Sequence, residues 1–179
     1  MTQSHQPDMR KLHTARLELT QVSEAALPLY MALFTDKDVC RYLPGGKPFS
    51  REYIQDYLGQ KIAHWRHGYG IYIIHRNVAP HEAIGYVGIE HANEQHRDIR
   101  YAILPSYQRQ GYALEAAKAI ISDGFQRCGL HHIYGVAVKD NHASVTLLQK
   151  LGMQSVELNF YDSDDLNYFV VSNIPSTPV

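Results

Sequence analysis

The residues best equipped for chemistry lie where an extended stretch ending near Leu104 gives way to a helical one beginning near Gly111: Gln108-Arg109-Gln110-Gly111-Tyr112-Ala113. The first turn of a helix carries amides with no intrahelical acceptor and a partial positive charge, which together suit a pyrophosphate. Gly111 and Ala113 are small enough for the backbone to approach phosphate oxygens closely. Arg109 adds a charge-assisted contact. The same residues also suit an ordinary strand-to-helix turn in which Gly111 only relieves strain. Other phosphate and catalytic motifs fail on inspection. Gly45-Gly46-Lys47 lacks the upstream glycine and the Ser or Thr of a P-loop, and Gly68-Tyr69-Gly70 lacks the third glycine of a dinucleotide fingerprint and precedes a strand. His81-Glu82 has no second histidine at helical spacing, and no G-x-S-x-G elbow occurs.

The elements that must position this loop are legible in the periodicity. Arg16–Thr20 alternates as a strand. Ser23 caps an expected helix through Leu27, Leu29, Tyr30, Leu33 and Phe34, with Pro28 in its first turn. A short helix is expected over Asp36–Leu43, ended by Pro44-Gly45-Gly46, and a longer one from the N-cap Ser50 through Trp65 to His67-Gly68. Residues 70–74 and 83–89 then read as a hairpin, and 98–104 as a third strand stopped at Pro105. A helix over 111–128 carries the stripe Ala113, Ala117, Ile120, Ile121, Phe125. A strand over 132–138, a helix over 141–151 and two closing strands near 153–161 and 166–173 complete the chain. The pattern is a mixed α/β domain spanning 12–174, with flexible termini at 1–11 and 175–179.

Composition narrows the function classes. A chain of 179 residues, 45% hydrophobic and 20% charged, suits one globular domain. A formal net charge of -1 with no run of Lys and Arg argues against a nucleic-acid partner. Cys40 and Cys128 form neither a disulfide framework nor a zinc ribbon. Met1–Lys11 is polar, without the apolar core of a signal peptide, and no apolar run is long enough for a bilayer, so a cytoplasmic protein without a membrane partner is expected. The eleven histidines are scattered along the sequence, so no metal is expected. Trp65 reads as core, and Tyr42, Tyr53 and Tyr57 as packing residues able to line a pocket. Asp162-Ser163-Asp164-Asp165 reads as a solvated turn that could lie beside a cationic substrate.

Three ordered blocks carry a family resemblance. Gln108, Gly111 and Ala113 match a Q/R-x-x-G-x-G/A signature; Asn141-His142-Ala143-Ser144 with Lys150-Leu151-Gly152-Met153 matches an N-x-x-S…K-x-G-F block, with Met153 in place of Phe; Thr14–Leu19 matches a first strand. Together they resemble the GNAT N-acetyltransferases, and within them the RimJ/RimL-like branch, over about residues 14 to 172. The resemblance implies a GNAT fold, a central mixed sheet of six to seven strands flanked by helices, with two parallel strands splayed at an acyl-CoA cleft. It implies acetyl-CoA as co-substrate and direct transfer to a primary amine, either a protein N-terminal α-amine or a small molecule, and it is compatible with a homodimer. A non-catalytic acyl-CoA-binding or regulatory domain is the alternative.

Residue by residue, the resemblance implies that strands 98–104 and 132–138 part. It places the pantetheine amides on the backbone of Ile103 and Leu104, and the pyrophosphate on the amides of Arg109, Gln110, Gly111, Tyr112, Ala113 and Leu114. Asn141 would bond the pantetheine arm. Many members protonate the leaving thiolate with a Tyr seven residues after the Asn; here that position is Leu148, which has no proton to give. Ser144 is the expected substitute, or else it caps a helix or bonds coenzyme A without acid chemistry. For the general base, Glu90 leads, with His91, Tyr101 and Glu157 behind it. Glu115, in the first turn of the long helix, is expected to act structurally.

Overall fold

The computed structural model describes residues 9–173; most of the expected terminal segments, 1–11 and 175–179, fall outside that range. Among the described residues, eight strands form one sheet in the order β1-β2-β3-β4-β5-β6-β8-β7. They are β1 (Lys11–His13), β2 (Leu17–Gln21), β3 (Ile71–Arg76), β4 (Ala79–His91), β5 (Arg97–Ile103), β6 (His132–Val138), β7 (Gln154–Val156) and β8 (Leu166–Ser172). This is more than the six to seven strands expected. The addition is β1, which the polar composition of Lys11–His13 concealed and which pairs antiparallel with β2.

Among the described residues, five α-helices accompany the sheet: α1 (Leu27–Phe34), α2 (Lys37–Cys40), α3 (Arg51–His64), α4 (Tyr112–Gln126) and α5 (His142–Lys150). Ser50 caps α3 as expected, its hydroxyl accepting from the Tyr53 amide at 3.2 Å. Ser23 makes no such bond; a 3-10 turn over Glu24–Ala26 leads into α1 instead, with Pro28 in the first helical turn. Asp36 caps α2 by accepting from Asp38 and Val39, and that helix is a single turn. The expected strand near 153–161 is only three residues long, and the remainder is an irregular segment leading to β8.

Strand alternation divides the core between the two faces. Leu17, Leu19, Val87, Ile89, Ile99 and Ile103 point to α4 and α5, where Ala116, Ala117, Ile120 and Leu148 meet them. Ile71, Ile73 and Tyr86 point to α1 and α3, against Tyr30, Leu33, Phe34, Ile54 and Leu58. Trp65 is partly buried, and its indole donates to the Ile71 carbonyl at 3.0 Å.

The feature that matters most is a fork in the sheet. β4 holds β5 through seven residue pairs, and β8 holds β6 through seven. β5 and β6 themselves, which run parallel, pair only at Asp98–Tyr134 and Ile99–Gly135. Beyond that point they separate, with each strand kept straight by its other neighbour. Gly135 sits at the fork because α5 lies directly on it: a β-carbon there would collide with Leu148 and come within 2.9 Å of the Met153 sulfur.

Candidate functional site

One cleft of about 1280 Å³ runs through the fork and is lined from both faces of the sheet. On the α4–α5 side its walls include Tyr101, Ile103, Asn141 and Ser144; on the α1–α3 side they include Tyr42, Tyr57, Asp98 and Arg100.

At the mouth on the α4 side, the first bond of the helix runs from the Glu115 amide to the Gly111 carbonyl at 3.0 Å. The six preceding amides, Arg109 through Leu114, donate to no acceptor among the described residues. Arg109 and Gly111 have positive φ, 62° and 80°, alternating with ordinary backbone at Gln110. That alternation curls the chain so that consecutive amides converge, the geometry of an anion nest. An L-residue at Gly111 would carry the strain of a left-handed conformation, which explains the glycine. The loop is pinned from outside: Arg16 donates from Nη1 to the Gln110 carbonyl at 2.9 Å and from Nε to Glu115 at 2.6 Å. Glu115 also accepts from the Thr14 hydroxyl at 2.6 Å and the Arg16 amide at 2.8 Å. Burial works against its charge, but these bonds outweigh it and hold its pKa below the ordinary 4.5. Glu115 is thus the structural residue expected.

Of the expected donor-side residues, Ile103, Arg109, Gly111, Tyr112, Ala113, Leu114, Asn141 and Ser144 line the cleft. Leu104 and Gln110 do not. The Leu104 amide is taken by the Ile84 carbonyl at 2.9 Å, which leaves it unable to bond an arm in the fork. The Ile103 carbonyl already accepts from the Gln108 side chain at 3.0 Å.

Asn141 is the N-cap of α5, its side-chain oxygen accepting from the Ser144 amide at 3.2 Å. Ser144 is therefore not the cap. Its Oγ instead meets the Tyr101 hydroxyl at 2.6 Å across the fork. Burial pushes the Tyr101 phenol up to about 12, a shift that the Ser144 bond opposes. Leu148 is fully buried over Gly135 and serves packing.

On the opposite face, Glu90 is not a free base. It is buried, its Oε2 lying 2.6 Å from Lys61 Nζ on α3 and 3.3 Å from Arg100 Nε, and it does not line the cleft. Arg100 reaches Asp98 at 3.4 Å and donates to the Tyr161 hydroxyl at 2.7 Å, which in turn donates to Asp98 at 2.6 Å. Burial disfavours the Arg100 charge, but Asp98, Tyr161, Tyr57 and Glu90 outweigh it and raise its pKa; burial raises Asp98 against the pull of Arg100. No sequence signal points to this network, because Tyr161 lies in the irregular segment expected to be strand. Glu157 is exposed just beyond β7 and lines a separate shallow depression with Lys139 and Tyr168. His91 points away from Glu90, onto Tyr69. Tyr42, Tyr57, Ser163 and Asp165 line the cleft, whereas Tyr53 stacks on Phe49 and Tyr57 at the surface.

An oriented nest of amides, a cleft between two parted parallel strands, and a hydroxyl pair at the fork suit an acyl thioester with a distal pyrophosphate. Comparison with known proteins agrees. Residues 16–154 match the acetyltransferase (GNAT) domain family. The uncharacterized N-acetyltransferase YoaA of Bacillus subtilis is 32% identical over 145 residues, 80% of this chain and 82% of that protein. An acetyltransferase from Agrobacterium tumefaciens superposes with a TM-score of 0.82 at 20% identity, covering 92% of this chain and 95% of that one. RimL, a ribosomal-protein alpha-N acetyltransferase solved in complex with coenzyme A, superposes with a TM-score of 0.75 at 19% identity, covering 91% and 98%.

Proposed function

We propose, on the premise that this chain belongs to the GNAT acetyltransferase family, that it binds acetyl-coenzyme A through the six amides of Arg109–Leu114 and passes the acetyl group directly to a primary amine. The unpartnered amide run, curled by Arg109 and Gly111, is the observation that carries the donor half of this reading. It neutralises a pyrophosphate without any side-chain rearrangement, because the donors are backbone held by the Arg16–Glu115 latch. The fork between β5 and β6 offers strand-edge groups and the Asn141 turn to the pantetheine arm.

Transfer needs a neutral amine, a polarised carbonyl and a proton for the departing thiolate. As the new C–N bond forms and the C–S bond breaks, Ser144 gives its hydroxyl proton to the departing thiolate and regains one through Tyr101, to which it is hydrogen-bonded at 2.6 Å; the proton shed by the amine nitrogen restores Tyr101, so that amine and thioester become amide and thiol. The amine enters from the α1–α3 side, past Tyr42 and Tyr57. Glu90, tied to Lys61 and Arg100, orders that wall rather than accepting the proton directly. The acceptor is either a protein N-terminal α-amine or a small amine; the coenzyme A-bound RimL likeness supports the donor cleft and leaves both acceptor classes in play.

The test is thiol release from acetyl-coenzyme A with a panel of peptides bearing free N-termini and small polyamines. Turnover on at least one class is expected. Tight donor binding with no turnover on any amine, and no self-acetylation, would instead identify a non-catalytic acyl-coenzyme A-binding domain.

A further inference from the structure

We propose that His64, His67 and His91 form a binding site for a divalent transition-metal ion of the zinc class, outside the transfer cleft. The chain's histidines are scattered in sequence, yet the fold brings these three together: His64 ends α3, His67 lies in the following 3-10 turn, and His91 closes β4. One ring nitrogen from each lies within 4.8 Å of the other two. The rings are in mutual contact, with centroids 4.2 Å apart for His67–His91, 5.0 Å for His64–His67 and 5.2 Å for His64–His91.

Three imidazoles with an open fourth position are a zinc-type donor set. Two of the rings are already anchored as ligating imidazoles are. His64 Nδ1 donates to the Tyr69 carbonyl at 3.0 Å, which leaves a lone pair on Nε2. His91 Nε2 lies 2.6 Å from the Tyr69 hydroxyl, whose oxygen also accepts from Arg97 Nε at 2.8 Å; in the tautomer in which Nε2–H donates to that oxygen, Nδ1 is left for the ion. Fixing the far nitrogen on a carbonyl or hydroxyl sets the tautomer and ring orientation of a metal-bound histidine. The final carbonyls of α3 add the negative end of a helix beside the site.

Two costs limit the affinity. His64 Nε2 now accepts from the His91 amide at 3.1 Å, a bond the ion must displace. Arg66 and Arg97 lie beside the cluster and repel a cation. Nitrogens bound about 2.0–2.1 Å from a tetrahedral ion stand roughly 3.4 Å apart, so a cluster whose nitrogens lie within 4.8 Å of one another must tighten by at most about 1.4 Å. Exposed His67 can supply that movement, since its Arg66 contact, at 3.3 Å, lies in solvent. The site is therefore expected to bind more weakly than one whose ligands are already set at bonding distance.

Tag-free, EDTA-stripped full-length protein would be titrated with zinc by calorimetry and with cobalt by visible absorption. One saturable equivalent and the intense absorption of four-coordinate cobalt are expected. His67→Ala should weaken zinc at least tenfold while leaving the EDTA melting temperature and acetyl-coenzyme A affinity unchanged, and His91→Gln should weaken it similarly. His81→Ala, at an exposed position, should change nothing. Absence of a saturable equivalent, or binding that survives His67→Ala, would overturn the site; His67→Ala decides even if His91→Gln does not fold.

Discussion

Ser144 reaches Tyr101 at 2.6 Å, and Asn141, not Ser144, caps α5, so the serine hydroxyl is free of a helix-capping duty and the proposed proton donation to the thiolate can be tested at this residue. Ser144→Ala should lower kcat by about 10²-fold, the scale of a lost general acid, with donor affinity within about twofold of the original. Tyr101→Phe should act in the same direction by a smaller factor, since Ser144 keeps its own proton. A fall in donor affinity with kcat unchanged would make Ser144 a binding residue. Glu90 behaves differently. Its carboxylate is buried against Lys61, so Glu90→Gln leaves a buried ammonium without its partner and should cost about 3 kcal/mol by urea unfolding. The resemblance singled out Ser144, but nothing in the sequence shows that its hydroxyl meets Tyr101, 43 residues away. The ion pair at Glu90 was not legible either, because the sequence places Lys61 on a helix and Glu90 on a strand without showing that the two faces meet.

Among the elements, the fork and the latch matter most. The fork was legible only through the resemblance, since nothing in the alternation of 98–104 or 132–138 says that the two strands part after two residue pairs. Gly135 and Leu148 are the physical reason α5 can sit at that point, and they are far apart in sequence. The latch joins the entry to β2 with the first turn of α4 through Thr14, Arg16 and Glu115. The pKa of Glu115 is depressed in the folded chain, so its stabilisation is complete above the ordinary 4.5 and is lost as pH falls through the folded value. Because Arg16 is half exposed, Glu115→Gln should cost only about 1 kcal/mol at pH 7. The deficit should shrink as pH falls below 4.5 and through the lower folded value, as measured by denaturant unfolding at each pH. A deficit that is independent of pH would mean that the carboxylate's charge contributes nothing. Most helix boundaries followed from periodicity and caps; β1 was missed because a polar edge strand carries no core signal, and the short β7 because Leu158 and Phe160 continue an alternation that the backbone abandons.

At the scale of the whole molecule, the cleft crosses the sheet and is lined by side chains from both cores, so a bound donor ties the α4–α5 layer to the rest of the fold. Acetyl-coenzyme A at 100 times its Kd should stabilise the native state by about 2.7 kcal/mol. For a chain of this size that is a rise of roughly 5–10 °C in melting temperature. The central claim is that the amides of Arg109–Leu114 hold the donor, and Gly111 is the residue through which to test it. Gly111→Glu forces an L-residue into the left-handed conformation that curls the nest and adds a carboxylate to the loop, its first carbon 3.3 Å from Arg16 Nη2 of the latch. The most direct measurement is calorimetric titration of acetyl-coenzyme A into the wild-type chain and into Gly111→Glu, with circular dichroism confirming that both are folded. Saturable one-to-one binding by the wild type and at least a hundredfold loss in the variant are expected; equal affinity in two folded proteins would contradict the assignment of the donor to this loop.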